Sequence, residues 1–275
     1  MLLETCEADG SLLPHAAGWR AVLTVRALHA RVRQRLLRSA DWKKEVSGVP
    51  VNQEDMAVTL LAFSLNVIIG CEIILGVKLP ADTQQAYLHL WRYIGWLMGV
   101  DDDCNPCRSM DEARAWLQSI TMHILEPDEL SIRLAHHMLR APAEYRRERE
   151  GGNTTSGAMA DAGLPQESAM GKRAYNSYVI RAQFTRILVG DALGDALQLP
   201  FVPTARYRAR RFLLVMRVYG RLCGLPLVGG LLAWTHRKIM CAMRTLESKR
   251  FNASTTSETC PFGSFAQEMS PEFLL

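Results

Sequence analysis

The 275-residue chain is 48% hydrophobic and 22% charged, the balance of a folded protein large enough to bury a core. With aromatics at only 8%, that core must be built mainly from Leu, Val, Ile, Ala and Met. A net charge of +4, dispersed along the chain, excludes the concentrated basic face with interleaved aromatics that a nucleic-acid binder needs. Seven cysteines, an odd number scattered from Cys6 to Cys260, exclude a disulfide framework and indicate a reducing compartment.

The pattern is all-α. Glu4 follows at once on Met1-Leu2-Leu3, and Pro14 and Gly18 break the segment too early for a signal-peptide core. A first helix is expected from Gly18 to about Glu45, stopped by Ser47-Gly48-Val49-Pro50. Asn52, with Asp55 three residues on, reads as a capping box opening a second helix over Gln53 to Gly76. Met56 to Leu79 is apolar enough to suggest a membrane span, but Thr59, Ser64, Asn66, Gly70 and Glu72 suit a buried core helix better.

A third helix starts after Pro80 and carries Tyr87, Leu90, Trp91, Ile94, Leu97 and Met98 until Asp101-Asp102-Asp103 and Pro106 break it. Ser109 and Glu112 form a second capping signal for a helix through Ile124, and Asp128 to about Arg149 reads as another, bent near Pro142. The expected organisation is a helical core over residues 1–150, a flexible Gly/Ser/Thr-rich linker over 151–172, C-terminal helices over 173–250 completing the same domain, and a disordered tail over 251–275. Within the third segment the helical pattern runs from Arg173 to Leu199, pauses at Pro200 and Pro203, continues to Tyr219, and resumes over Leu231 to Lys249.

Helix one carries the informative signal. Val22, Val25, His29, Val32 and Leu36 recur at spacings of three and four, so they share one helix face, and every member except His29 is aliphatic. Arg26 and Arg33 flank the imidazole one turn away on either side. Their charge and the burial expected of the stripe both disfavour protonation, leaving the neutral imidazole that ligates metals. The two guanidiniums also suit the carboxylates of a haem. On the residues alone, a hydrogen-bonded core histidine remains the competing reading.

The run Val25-Arg26-Ala27-Leu28-His29-Ala30-Arg31-Val32-Arg33 is followed by Gly48-Val49-Pro50-Val51-Asn52-Gln53-Glu54-Asp55-Met56, then Thr59, Phe63 and Leu90-Trp91-Arg92-Tyr93-Ile94-Gly95 through Gly99. This ordered set resembles the fungal ER-bound oxygenase and bacterial rubber-oxygenase (latex-clearing protein) family. The resemblance implies a globin-like helical core around haem b, with His29 as the iron ligand and O2 as co-substrate. It implies an oxidoreductase that cleaves a carbon–carbon double bond of an isoprenoid or other apolar substrate to carbonyl products. The scattered cysteines and the early break of the N-terminal apolar segment lead to the expectation of a protein inside the cell, in the cytosol or at the cytosolic face of the endoplasmic reticulum membrane. Phe63 and Trp91 are expected to line the core near the cofactor. The family's distal-side arginine, lysine and threonine precede the proximal histidine by a longer stretch than the 28 residues found here, so an N-terminal truncation is expected. Thr5 is the nearest counterpart, and no Arg or Lys occurs before Arg20. The alternative is a catalytically silent relative acting as a helical binding or membrane-associated module.

Other features read as structural. Cys104-x-x-Cys107 lacks the second ligand pair a zinc site needs. Asp101-Asp102-Asp103 lacks the facing acidic cluster of an Mg2+–diphosphate site. His136 and His137, being adjacent, diverge by about 100° on a helix. Arg206, Arg208, Arg210, Arg211, Arg217 and Arg221 surround Phe212-Leu213-Leu214-Val215-Met216, leaving a solvated helix face or a peripheral membrane contact open. The sequons at Asn153 and Asn252 carry no weight in a reducing compartment.

Overall fold

The computed structural model describes residues 10–123, 125–149, 165, 170–225 and 230, and no strand occurs among them. Thr5, most of the expected linker, the helix expected over Leu231 to Lys249, the tail and both sequons lie outside the described residues. The chain divides into two compact units, each discontinuous in sequence. One comprises Met1–Asn66, Pro80–Ala115 and Leu222–Leu275; the other comprises Val67–Leu79 and Trp116–Arg221.

Helix α1 spans Ala17–Arg38 and ends on Arg35 and Arg38, cations suited to the negative end of the helix dipole. It stops short of the expected Glu45. The chain turns at Ser39, whose Oγ accepts from the Asp41 amide at 3.3 Å, and restarts as the single turn α2, Lys44–Ser47. Trp42 Nε1 donates to the Gly48 carbonyl at 3.0 Å, fixing the return.

The expected capping box is formed. Asn52 Oδ1 accepts from the Asp55 amide at 2.9 Å and Asp55 Oδ2 accepts from the Asn52 amide at 3.0 Å, opening α3, Gln53–Phe63. The helix expected to continue to Gly76 is interrupted at Ser64 (φ −104°, ψ −86°), and α4 covers Leu65–Leu75. The Ser64 hydroxyl donates back to the Leu60 carbonyl at 2.8 Å, an internal bond that bends helices. By length and composition Gln53–Leu75 could cross a membrane, but only 28% of its apolar window is buried. The expectation of a core helix is thus met on one face only, by Ala57, Leu60, Leu61, Leu65 and Ile68.

Helix α5, Ala81–Met98, packs on α1 and α3 and buries Leu88, Trp91, Ile94 and Leu97. A side chain at Gly95 would meet Leu60 Cδ2 at 2.8 Å and Asn105 Nδ2 at 3.0 Å, so glycine permits the close approach of α5 to α3. After a 3-10 turn at Asp102–Cys104, α6 runs over Met110–His123. Only half of its expected capping box forms: Ser109 Oγ accepts from the Glu112 amide at 3.2 Å, while the Glu112 carboxylate turns to Arg108.

In the other unit, α7 (Glu129–Arg149) passes Pro142 without a break and packs on α8, Lys172–Val189. The helix expected to continue to Leu199 is cut at Gly190 (φ +93°), which starts α9, Asp191–Ala196; α10 covers Pro203–Cys223. Arg186 is buried at 3% exposure and anchors this turn. It donates to Asp191 and Asp195 through Nε and Nη2 and to the Leu199 carbonyl at 3.0 Å through Nη1. His136 is likewise buried with both ring nitrogens engaged, by the Tyr178 hydroxyl at 2.7 Å and the Leu197 carbonyl at 3.1 Å, which leaves it no lone pair for a metal.

Candidate functional site

The stripe on α1 is buried at its start and opens toward its end. Val22 is fully buried, His29 is half-buried, and Val32 is 39% exposed. His29 therefore lines a cleft, whereas the aliphatic spacing predicts a place sealed in the core. Helix α1 packs on α5, and one turn past His29 Arg33 reaches the turn before α3.

The cleft encloses about 280 Å3, just under the roughly 300–1,000 Å3 of small-molecule sites, and is partly open. Arg26, His29, Ala30 and Arg33 supply the α1 wall; Val51, Gln53 and Met56 and, from the end of α5, Met98 and Gly99 supply the rest. The three residues singled out in the sequence thus stand together. Gln53, Met56, Met98 and Gly99 were not singled out as site residues, although all four lie within the span of the motif.

Each polar wall residue is positioned by backbone. Arg26 Nη1 donates to the Leu97 carbonyl at 3.1 Å. Arg33 Nε donates to the Pro50 carbonyl at 3.1 Å, and Nη2 to that of Val51. Val51 has φ +54°, a strained conformation for a β-branched residue, and Arg33 clasps the carbonyls on both sides of its amide. Gln53 joins the two ends of the cleft, its Nε2 donating to the Gly99 carbonyl at 2.9 Å and its Oε1 accepting from the Asp101 amide at 3.0 Å. Gly99 is left-handed (φ +88°), and a side chain there would lie 3.2 Å from the Arg26 guanidinium carbon.

Burial, and then the Arg33 charge, hold the His29 imidazole below its ordinary pKa, so it is neutral at physiological pH. Its Nδ1 is shielded from solvent and has no hydrogen-bond partner among the described residues. A ring with one nitrogen buried and unsatisfied, and the other without a hydrogen bond among the described residues, is not the fully bonded core histidine of the competing reading; His136 is.

Phe63 and Trp91 do not line this cleft. They stack on each other, centroids 5.4 Å apart, with Tyr87 edge-on to Trp91. Cys107 is fully buried, with Sγ 3.2 Å from Ser64 Oγ, and burial pushes its thiol up to about 11, the pKa of an inert cysteine. Asp102 is paired with Arg92 through both carboxylate oxygens. No group of three His, Cys, Asp or Glu side chains among the described residues is placed to hold a metal ion.

Comparison with known proteins converges on one family. The model of the ER-bound oxygenase mpaB/B'/rubber oxygenase catalytic domain matches residues 3–221. A rubber oxygenase of Streptomyces sp. (strain K30) is 26% identical over 226 residues, covering 81% of this chain and 48% of that protein, so the chain spans about half the length of this curated relative. No solved structure matches. The motif around His29 lies inside the matched region, and the chain belongs to the ER-bound oxygenase mpaB/B'/rubber oxygenase catalytic-domain family.

Proposed function

We propose that the chain is a haem b-dependent oxygenase, built on a globin-like helical core, that uses O2 to cleave a carbon–carbon double bond of an isoprenoid or other apolar substrate. His29 would hold the iron, and the Arg26 and Arg33 guanidiniums would pair with the carboxylates of the haem. The observation that carries this reading is the half-buried, neutral imidazole with an unsatisfied ring nitrogen in a cleft flanked by two guanidiniums, in a chain of an oxygenase family.

The residues present fit the group. A lone imidazole suits an iron that arrives in a macrocycle and needs a single ligand from the protein. Arg26 donates to backbone through Nη1, leaving Nε and Nη2 for a carboxylate, and Arg33 keeps Nη1. Glycine at 99 keeps the Arg26 donor edge clear. The cleft is at the small end for a cofactor, so a porphyrin would need its open side as well.

Bound there, haem would supply an iron centre able to activate O2. The chain's part is to hold His29 neutral, to fix the cofactor's carboxylates with guanidiniums already braced on backbone, and to offer Met56 and Met98 as adaptable apolar walls. We place the protein inside the cell, in the cytosol or on the cytosolic face of the endoplasmic reticulum membrane. A catalytically silent relative is the second reading, favoured by one observation: both arginines already spend donors on backbone carbonyls and so brace the fold without a cofactor. Incubating haem-loaded full chain with an isoprenoid alkene under isotopically labelled O2 distinguishes them. Labelled carbonyl products support the oxygenase; bound haem without product formation supports the silent relative.

A further inference from the structure

We propose that the exposed face of α10 is a docking surface for an anionic phospholipid bilayer. Tyr207, Leu214 and Val218 follow one another at spacings of seven and four, so they share one face of the helix, with Val215 beside them. All four are open to solvent: Tyr207 is 62% exposed, Leu214 62%, Val215 64% and Val218 50%. The opposite face is the one the fold uses, burying Ala205, Ala209 and Leu213. The sequence leaves a solvated polar face as one reading of this basic stretch; instead the outward face is led by aliphatic side chains.

The charges around that stripe identify the occupant. Helical spacing places Arg208 on one flank and Arg210 and Arg221 on the other, while Arg217 lies back along Gly76 and donates to the Ile73 carbonyl at 3.5 Å. Arg211 lies within the stripe, its guanidinium 5.8 Å from the Tyr207 ring centre. No Asp or Glu occurs between Pro203 and Cys223, and Arg208, Arg210 and Arg221 make no ion pair among the described residues; Arg206, which does, is held by Asp191 at 2.7 Å on the packed side.

An aliphatic stripe bordered by long cationic side chains matches the boundary between acyl chains and phosphate headgroups. There the stripe enters the apolar layer while the guanidiniums extend to the phosphates. Nucleic acid would meet the arginines but leave Leu214, Val215 and Val218 without partners. A second copy placed face to face would set arginine rows against each other with no carboxylate between them.

The test is cosedimentation of the full-length chain with vesicles of phosphatidylcholine alone and of phosphatidylcholine mixed with phosphatidylserine. Wild type is expected to sediment with the mixed vesicles only, and to be released by salt. Arg208→Gln with Arg210→Gln should weaken partitioning by roughly 25-fold, about fivefold per arginine. Leu214→Gln with Val218→Gln should weaken it by on the order of tenfold. Circular dichroism and thermal midpoints should match wild type, because the substituted side chains are outside the packed face. The proposal is overturned if wild type ignores the mixed vesicles, or if both pairs bind as wild type, which would move attachment to another segment such as Gln53–Leu75. It is also overturned if the Leu214/Val218 pair changes the oligomeric state and not lipid binding, or if the arginine pair abolishes RNA binding where no vesicle binding exists.

Discussion

Arg33 is placed to serve the fold before it serves any ligand, which makes Arg33→Met the most informative single substitution. Methionine keeps much of the stem and removes two charge-assisted hydrogen bonds, to the Pro50 and Val51 carbonyls. Bonds to charged donors contribute roughly 1.5–3 kcal/mol each; because this contact is only partly buried, the low end applies and the loss is about 3 kcal/mol. For a chain of this size that corresponds to a fall in midpoint of roughly 6–12 °C. Arg33→Lys should recover only part of it, since an ammonium cannot span two carbonyls as a planar fork does. The assay is thermal unfolding of protein prepared without added haem, followed by far-ultraviolet circular dichroism. If Arg33→Met melts within a degree or so of wild type, the clasp over the strained Val51 turn does not hold the cleft.

Three further outcomes follow from the packing. Cys107 should resist a thiol reagent in the native state and react only on unfolding, whereas the exposed Cys223 should react at once; rapid labelling of Cys107 in folded protein would contradict its burial. Gly194→Ala should destabilise by roughly 1–3 kcal/mol, because its methyl would lie 2.7 Å from Cγ of the pinned Arg186; denaturant titration with an unchanged midpoint would show that the Arg186 turn yields freely. Burial holds both His29 and His136 below the ordinary value of 6.5, so the unfolded chain takes up protons first on acidification. Their contribution to stability is complete above that value and is lost as pH falls below it. Melting curves across that range should flatten in His29→Ala, and an acid limb as steep as that of wild type would mean that His29 is not shielded.

Much of the first unit was legible because local chemistry specified it. Asn52 and Asp55 announced α3, and the one polar member of an aliphatic stripe announced His29. The breaks were harder to read. Ser64 ends α3 through a bond to its own helix, a residue equally at home in an unbroken one, and Ser39 stops α1 without any Gly or Pro to signal it. Gly190 was visible as a residue, but its left-handed conformation is set by the turn around Arg186. Gln53 joins Gly99 and Asp101 across 46 and 48 residues of sequence, a separation that no periodicity reveals. Phe63 and Trp91 share the apolar character of cofactor-lining residues but stack on each other, because apolar type does not say which cavity a side chain faces. The outward apolar stripe of α10 depended on knowing which face packs inward.

The most direct measurement is the absorption spectrum of full-length wild type and of His29→Ala after each is purified with supplied haem. A Soret band in wild type that disappears or shifts in His29→Ala, with circular dichroism of the variant intact, is the result expected if His29 holds the iron. An identical band in both proteins, or none in wild type, would contradict His29 as the iron ligand.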